Sequence, residues 1–214
     1  MSRIILELES SDLSAEHYEA IKTLREIAKV SLPDEFSKHT RNMIKGWSCL
    51  GTVDSWTESD GPFCPGTYAL VYDNKGNITN PILWNSTLLF GESTRDGHKR
   101  IYTHTGALRG KSTNSITSWR RNIPKINSEY SCNIQKELHN VKIFFRPHSH
   151  TDKDLESNRT FSCLMEKQAH AQYMLLHGHG TICNSRDIPN DTILESSMTF
   201  LKKEGYPIEE VIYK

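Results

Sequence analysis

The chain has 214 residues, 36% of them hydrophobic and 24% charged, with 26 Lys/Arg balanced by 26 Asp/Glu and a mean hydropathy of −0.58. That composition suits one domain with its own core plus a modest extension, and it excludes a collagen-like, low-complexity or bulk-disordered chain. No apolar run approaches the roughly 20 residues that span a bilayer, and acids follow the first short apolar patch directly, so neither a membrane protein nor a secretory precursor is expected.

Charge is distributed unevenly. Residues 1–60 hold seven Lys/Arg against eleven Asp/Glu. Residues 95–125 hold eight cations (Arg95, Lys99, Arg100, Arg109, Lys111, Arg120, Arg121, Lys125) against Asp96. A basic block in a neutral chain is the footprint of a polyanion partner, or a solvated loop. The five cysteines (Cys49, Cys64, Cys132, Cys163, Cys183) are odd in number and lack C-x-x-C spacing, which predicts reduced thiols in a cytoplasmic protein rather than a disulfide framework or a zinc ribbon.

In chain order, Tyr18, Ile21, Leu24 and Ala28 recur at helical spacing behind Ser14, an N-cap residue, and Pro33 stops that helix. A second short helix is predicted over 34–46, ending at Gly46, and a loop over 47–65. These make an N-terminal helical extension of residues 1–65. Residues 66–73 and 86–93 read as strands, separated by a turn around Asn74–Asn77. A helix follows over 96–108, then a polar stretch too hydrophilic for core, then a third strand over 140–147. After a polar loop, a long helix over 159–177 carries Phe161, Leu164, Met165, Ala169, Leu175 and Leu176 inward. His170, Tyr173 and His177 are expected on its wet side. A last helix opens with the capping box Thr192/Glu195 and closes at Gly205. The predicted fold is α/β (α+β): a small three-stranded sheet flanked by helices, in a domain of residues 66–184 with an insertion at about 109–139. Residues 185–214 form a C-terminal helix and tail.

Four features of that domain stand in a telling order. "GTYALVY" opens the first strand and "LLFG" closes the second. Arg100 and His104 share a helix face at i, i+4. Glu166 lies within the long helix, and Asn184 follows it. This order resembles the GIY-YIG nuclease family, in which a G-x-Y strand and a Y-x-G strand precede a helix with R-x-x-x-H and a later helix whose Glu binds a divalent metal. The resemblance covers about residues 66–184. It implies a DNA endonuclease with Tyr68 as general base, Arg100 as phosphate clamp, His104 as helper and Glu166 as ligand of Mg²⁺, for which Mn²⁺ is an alternative. The family's second Tyr falls at Leu89, and Tyr102 or Lys99 would have to replace it.

The chemistry suits these residue types. One carboxylate with several waters is a reasonable Mg²⁺ site, an Arg offers phosphate a permanently charged planar fork, and a Tyr beside a cation can accept a proton. With no second domain evident, the resemblance is strongest to a stand-alone type II restriction endonuclease that cuts double-stranded DNA at a palindrome as a homodimer. Arg109, Lys111, Trp119, Arg120 and Arg121 in the basic insertion are the expected DNA contacts. Arg120 or Arg121 would read a base edge, Lys111 would meet the backbone, and Trp119 would stack or pack. Two other readings stay open: a catalytically decayed nucleic-acid-binding module, and a zinc hydrolase built on His148-x-His150-x-Asp152. No phosphate-loop, dinucleotide-binding or G-x-S-x-G motif is present.

Overall fold

The computed structural model describes residues 5–8, 43–111, 116–148, 155–184, 191–206 and 210–213. Strands β2 (Ser48–Thr52), β3 (Gly66–Tyr72), β4 (Thr87–Ser93) and β5 (Val141–Pro147) form an antiparallel sheet in the order β2-β5-β3-β4. Strands β1 (Ile5–Leu8) and β6 (Glu210–Tyr213) pair with each other in parallel. Among the described residues the α-helices are α1 (Gly97–Leu108), α2 (Ile116–Glu129), α3 (Leu155–His177) and α4 (Asp191–Lys203).

The sheet is covered on both faces, which is why β3 reads as an unbroken run and not as an alternation. Every residue of β3 is buried. Tyr68, Leu70 and Tyr72 enter one core with Trp56, Ile101, Leu108, Trp119 and Ile126. Ala69 and Val71 enter the other with Phe90, Phe144, Phe161, Met165 and Tyr173. A third cluster joins α3 to α4 through Leu164, Met174, Leu175, Leu194 and Leu201. The turn after β3 is pinned by Asp73, whose carboxylate takes the amides of Asn77 and Ile78 and pairs with Lys142 of β5 at 2.5 Å.

The mixed fold class agrees with the sequence, but the sheet has four strands where three were expected. The added strand, β2, lies in the stretch read as loop: it has no apolar alternation, and Gly51, at φ +128°, sits where its register against β5 shifts. The polar stretch after α1 contains α2. Its core-facing residues, Trp119, Ile123 and Ile126 with buried Asn122, keep helical spacing, but few apolar residues and an internal Pro124 hide the pattern. Helix α3 starts at Leu155, four residues before its expected start. Buried Tyr173 and His170 overturn their placement on its wet side: Tyr173 packs edge-on to Phe90 and His170 accepts from the Thr181 amide. The helix expected over 14–30 lies outside the described residues, and 43–46, the end of the second expected helix, are non-helical. All five cysteines are free, and no helix among the described residues is long and apolar enough to cross a membrane.

Candidate active site

The site is built around Tyr68, in the middle of the central strand and 1% exposed. Its neighbours across the sheet are Gly91 on β4 and Phe145 on β5. Gly91 is required by close approach: a Cβ there would overlap the Tyr68 ring and hydroxyl. Gly66 is required in the same way, because a Cβ would enter the Phe145 ring and come within 2.7 Å of the Arg146 carbonyl. The two motif glycines therefore have a packing reason, and the phenol is laid flat across β4 at the point where β4 lacks a side chain.

Helix α1 brings the next two groups. The His104 ring lies 5.8 Å from the Tyr68 ring, centroid to centroid. Trp119 of α2 donates its indole N–H to His104 Nδ1 at 3.1 Å. An Nδ1 that accepts places the proton of the neutral imidazole on Nε2. Burial, aided by the Arg100 charge, pulls His104 down to about 4, so it is neutral at ordinary pH. Arg100 is exposed, and its charge acts on both His104 and the Tyr68 hydroxyl.

Helix α3 brings Glu166, which is half-buried. Burial raises the Tyr68 pKa well above the ordinary phenol value; Arg100 opposes this, and Glu166 and then Glu92 reinforce it. Burial likewise pushes the Cys163 thiol up to about 11, with Glu92 and Glu166 again contributing. Tyr68, Arg100, His104 and Glu166 come from three separate stretches of sequence, and the structure links them through Tyr68: Arg100 and Glu166 act on its hydroxyl, His104 packs near its ring, and Arg100 also acts on His104. Glu92 joins them. Sequence reasoning passed over it, although it directly follows the motif glycine.

The donor set fits Mg²⁺. Glu166 offers hard carboxylate oxygens, Glu92 acts on the same Tyr68 hydroxyl, and Mg²⁺ takes one or two carboxylates while keeping several waters. A zinc centre needs three or four protein ligands, and no group of three His, Cys, Asp or Glu suited to a metal forms among the described residues. His148, the first residue of the suspected zinc motif, is buried with both nitrogens engaged, Nε2 with Thr67 Oγ1 at 3.0 Å and Nδ1 with Ser162 Oγ at 3.2 Å. His150 and Asp152 lie outside the described residues.

The remaining nominated residues divide. Leu89, in place of a second Tyr, is buried opposite Leu70 in the core. Of its two substitutes, Lys99 borders the cavity beside Arg100, whereas Tyr102 is 44% exposed and does not line it. Asn184 caps the free edge of β4: it accepts from the Phe90 amide at 2.7 Å and donates to the Phe90 carbonyl at 3.0 Å. Arg109 donates to the carbonyls of Val53 and Trp56, so its guanidinium ties the loop after β2 to the end of α1. Trp119 is a core side chain and not a surface ring. Lys111 and Arg121 are exposed, as is Lys125 one turn after Arg121. Arg120 lies on α2, its side chain outside the described set.

Beside Arg100 opens a cavity of about 420 Å³ bordered by Ser93, Thr94, Arg95, Asp96, Lys99, Arg100 and Arg159. Arg159 comes from the first turns of α3, and no local signal in the sequence links it to the block at 95–100.

The chain matches no family model, no curated protein and no solved structure.

Proposed function

We propose that this protein is a Mg²⁺-dependent DNA endonuclease of the GIY-YIG type, acting as a stand-alone type II restriction enzyme. The observation that carries the reading is that the Arg100 and Glu166 charges both act on the Tyr68 hydroxyl, with the His104 ring packed 5.8 Å from the phenol ring. In this reading Arg100 holds the phosphate oxygens through its planar fork. Tyr68 would receive the proton of the attacking water as its phenolate. Because burial holds the phenol protonated, its own proton must first be lost to solvent, which requires further positive charge at the hydroxyl beyond Arg100. Neutral His104, proton on Nε2, orients the phenol. Glu166, with Glu92 acting on the same hydroxyl, would hold the cation, which would supply charge neutralisation for the transition state and the departing oxygen. Lys111 and Arg121, with Arg120, meet the duplex, and two copies related by a two-fold axis cut the two strands of a palindrome. The reading places the protein in the cytoplasm, where free cysteines stay reduced.

A second reading, a module that binds nucleic acid without cutting it, is favoured by the core position of Leu89 and the raised pKa of Tyr68. Digestion of a panel of plasmids with Mg²⁺, by the unaltered chain and by Glu166→Gln, separates the two. Discrete, reproducible fragments that disappear in the variant are expected. Binding with no Mg²⁺-dependent product would leave only the second reading, and equal cutting by both chains would remove Glu166 from the site.

A further inference from the structure

The cavity beside Arg100 carries more positive charge than a single scissile phosphate needs. Four cations border it: Arg95 and Lys99 around the start of α1, Arg100 within it, and Arg159 from α3. The one acid, Asp96, is spent on Lys99, its carboxylate 3.2 Å from the ammonium. Three guanidiniums thus border one space, and among the described residues that line it no further acid offsets them. The first amides of α1 are not the anion holders here, because Gly97 and His98 already donate to the carbonyls of Cys64 and Pro62. Recognition would come from side chains, and Arg forks match phosphate oxygens in pairs. The space, about 420 Å³, is open to solvent and bordered by exposed Arg and Lys side chains, as a surface that takes a passing strand must be. Arg100 belongs both to this cavity and to the group acting on Tyr68, so whatever occupies the cavity lies next to the reacting centre.

We infer that this cavity is a second phosphate subsite, in which Arg95 and Arg159 hold a phosphate of the nucleic-acid strand adjacent to the one that is cut. The inference rests on the nuclease reading and adds to it the groups that set the path of the strand across the site. The same chemistry fits a backbone phosphodiester or a terminal 5′-phosphate, and the test distinguishes them.

Binding of a short labelled duplex is measured across a salt series with a chelator present, so that no strand is cut. The chains compared are the unaltered protein, the double variant Arg95→Gln/Arg159→Gln, and a charge-matched control, Lys75→Gln/Lys136→Gln, at exposed positions away from the cavity. Because Arg95 and Arg159 are also exposed, the cavity variant is expected to fold, and circular dichroism checks it. Loss of the subsite should flatten the slope of log K against log salt by about 0.9 for each phosphate contact removed, while the control leaves it unchanged. A duplex whose flanking phosphate is replaced by a neutral methylphosphonate should bind both the unaltered chain and the cavity variant with the same affinity. A terminal-phosphate subsite would instead show as a preference for 5′-phosphorylated over 5′-hydroxyl duplex that vanishes in the variant. An unchanged slope in the cavity variant, or equal flattening in the control, would overturn the subsite and leave the nuclease reading standing. Failure of the unaltered chain to bind any duplex would overturn both.

Discussion

At the scale of single residues, the candidate site depends on one close approach and one hydrogen bond. The Tyr68 ring occupies the space a side chain at position 91 would fill. Gly91→Ala must therefore displace the ring or bend β4, and overpacking of this kind costs about 1–3 kcal/mol. Denaturant unfolding should show that loss together with loss of cleavage; an unchanged midpoint would mean that Tyr68 is not held where we place it. The hydrogen bond is the one from Trp119 to His104 Nδ1. Trp119→Phe keeps an aromatic ring in the core and removes the donor, so stability should fall by about 0.5–1.5 kcal/mol, while cleavage falls further because the imidazole tautomer is no longer fixed. Burial lowers His104 from 6.5 to about 4, so its contribution to stability is full above the unfolded value and lost as pH falls through the folded one. The pH–rate profile of the unaltered chain should show no histidine break near neutrality, and a break near 6.5 that survives His104→Ala would assign it to another group. Some of these residues were legible in the sequence. Tyr68, Arg100 and His104 stand out because each has a motif neighbour at fixed spacing, and Glu166 because it lies in the long helix that follows them in the family's order. Glu92 directly follows the motif glycine but has no role in the resemblance, and Arg159 meets the basic block only through the tertiary fold.

Secondary-structure elements were legible where one physical signal dominated. β3 and β5 are rich in aromatic and β-branched residues, β4 carries the apolar run Leu88–Phe90, and α3 a long apolar stripe, so all four were found close to their true bounds. β2 failed because a bulged edge strand with Gly51 has neither alternation nor bulk, and α2 failed because Trp119, Asn122, Ile123 and Ile126 make a face of mixed polarity. The His170–Tyr173 stripe was misplaced because polar atoms in the sequence suggest solvent, whereas here α3 is covered by the sheet on one side and by α4 on another. Edge treatment is a further property of elements. Among the described residues β4 has no strand beyond it, yet Asn184 satisfies both the amide and the carbonyl of Phe90, and the Cys183 amide donates to the Leu88 carbonyl. Asn184→Ala should leave the two Phe90 groups unpaired, at about 1–3 kcal/mol for a buried group so exposed to loss, and should speed hydrogen exchange along β4. Unaltered exchange at Phe90 would show that the segment after α3 does not close this edge.

At the scale of the molecule, the candidate site exists only where three elements meet. β3 supplies the phenol, α1 the guanidinium and imidazole, and α3 the carboxylate, with α2 behind them fixing His104. The sheet holds Tyr68 within a core, on a strand buried on both faces, so the hydroxyl is rigidly placed but hard to ionise. That conflict between position and charge is what a cation held by Glu166 would relieve, and it links the fold to the proposed chemistry. The most direct measurement of this account is single-turnover cleavage of a duplex with Mg²⁺ by the unaltered chain and by Tyr68→Phe, which removes one oxygen and leaves the ring packed on Gly91. The account predicts that cleavage is lost while DNA affinity and unfolding midpoint change little; a Tyr68→Phe chain that cuts at the rate of the unaltered protein would contradict it.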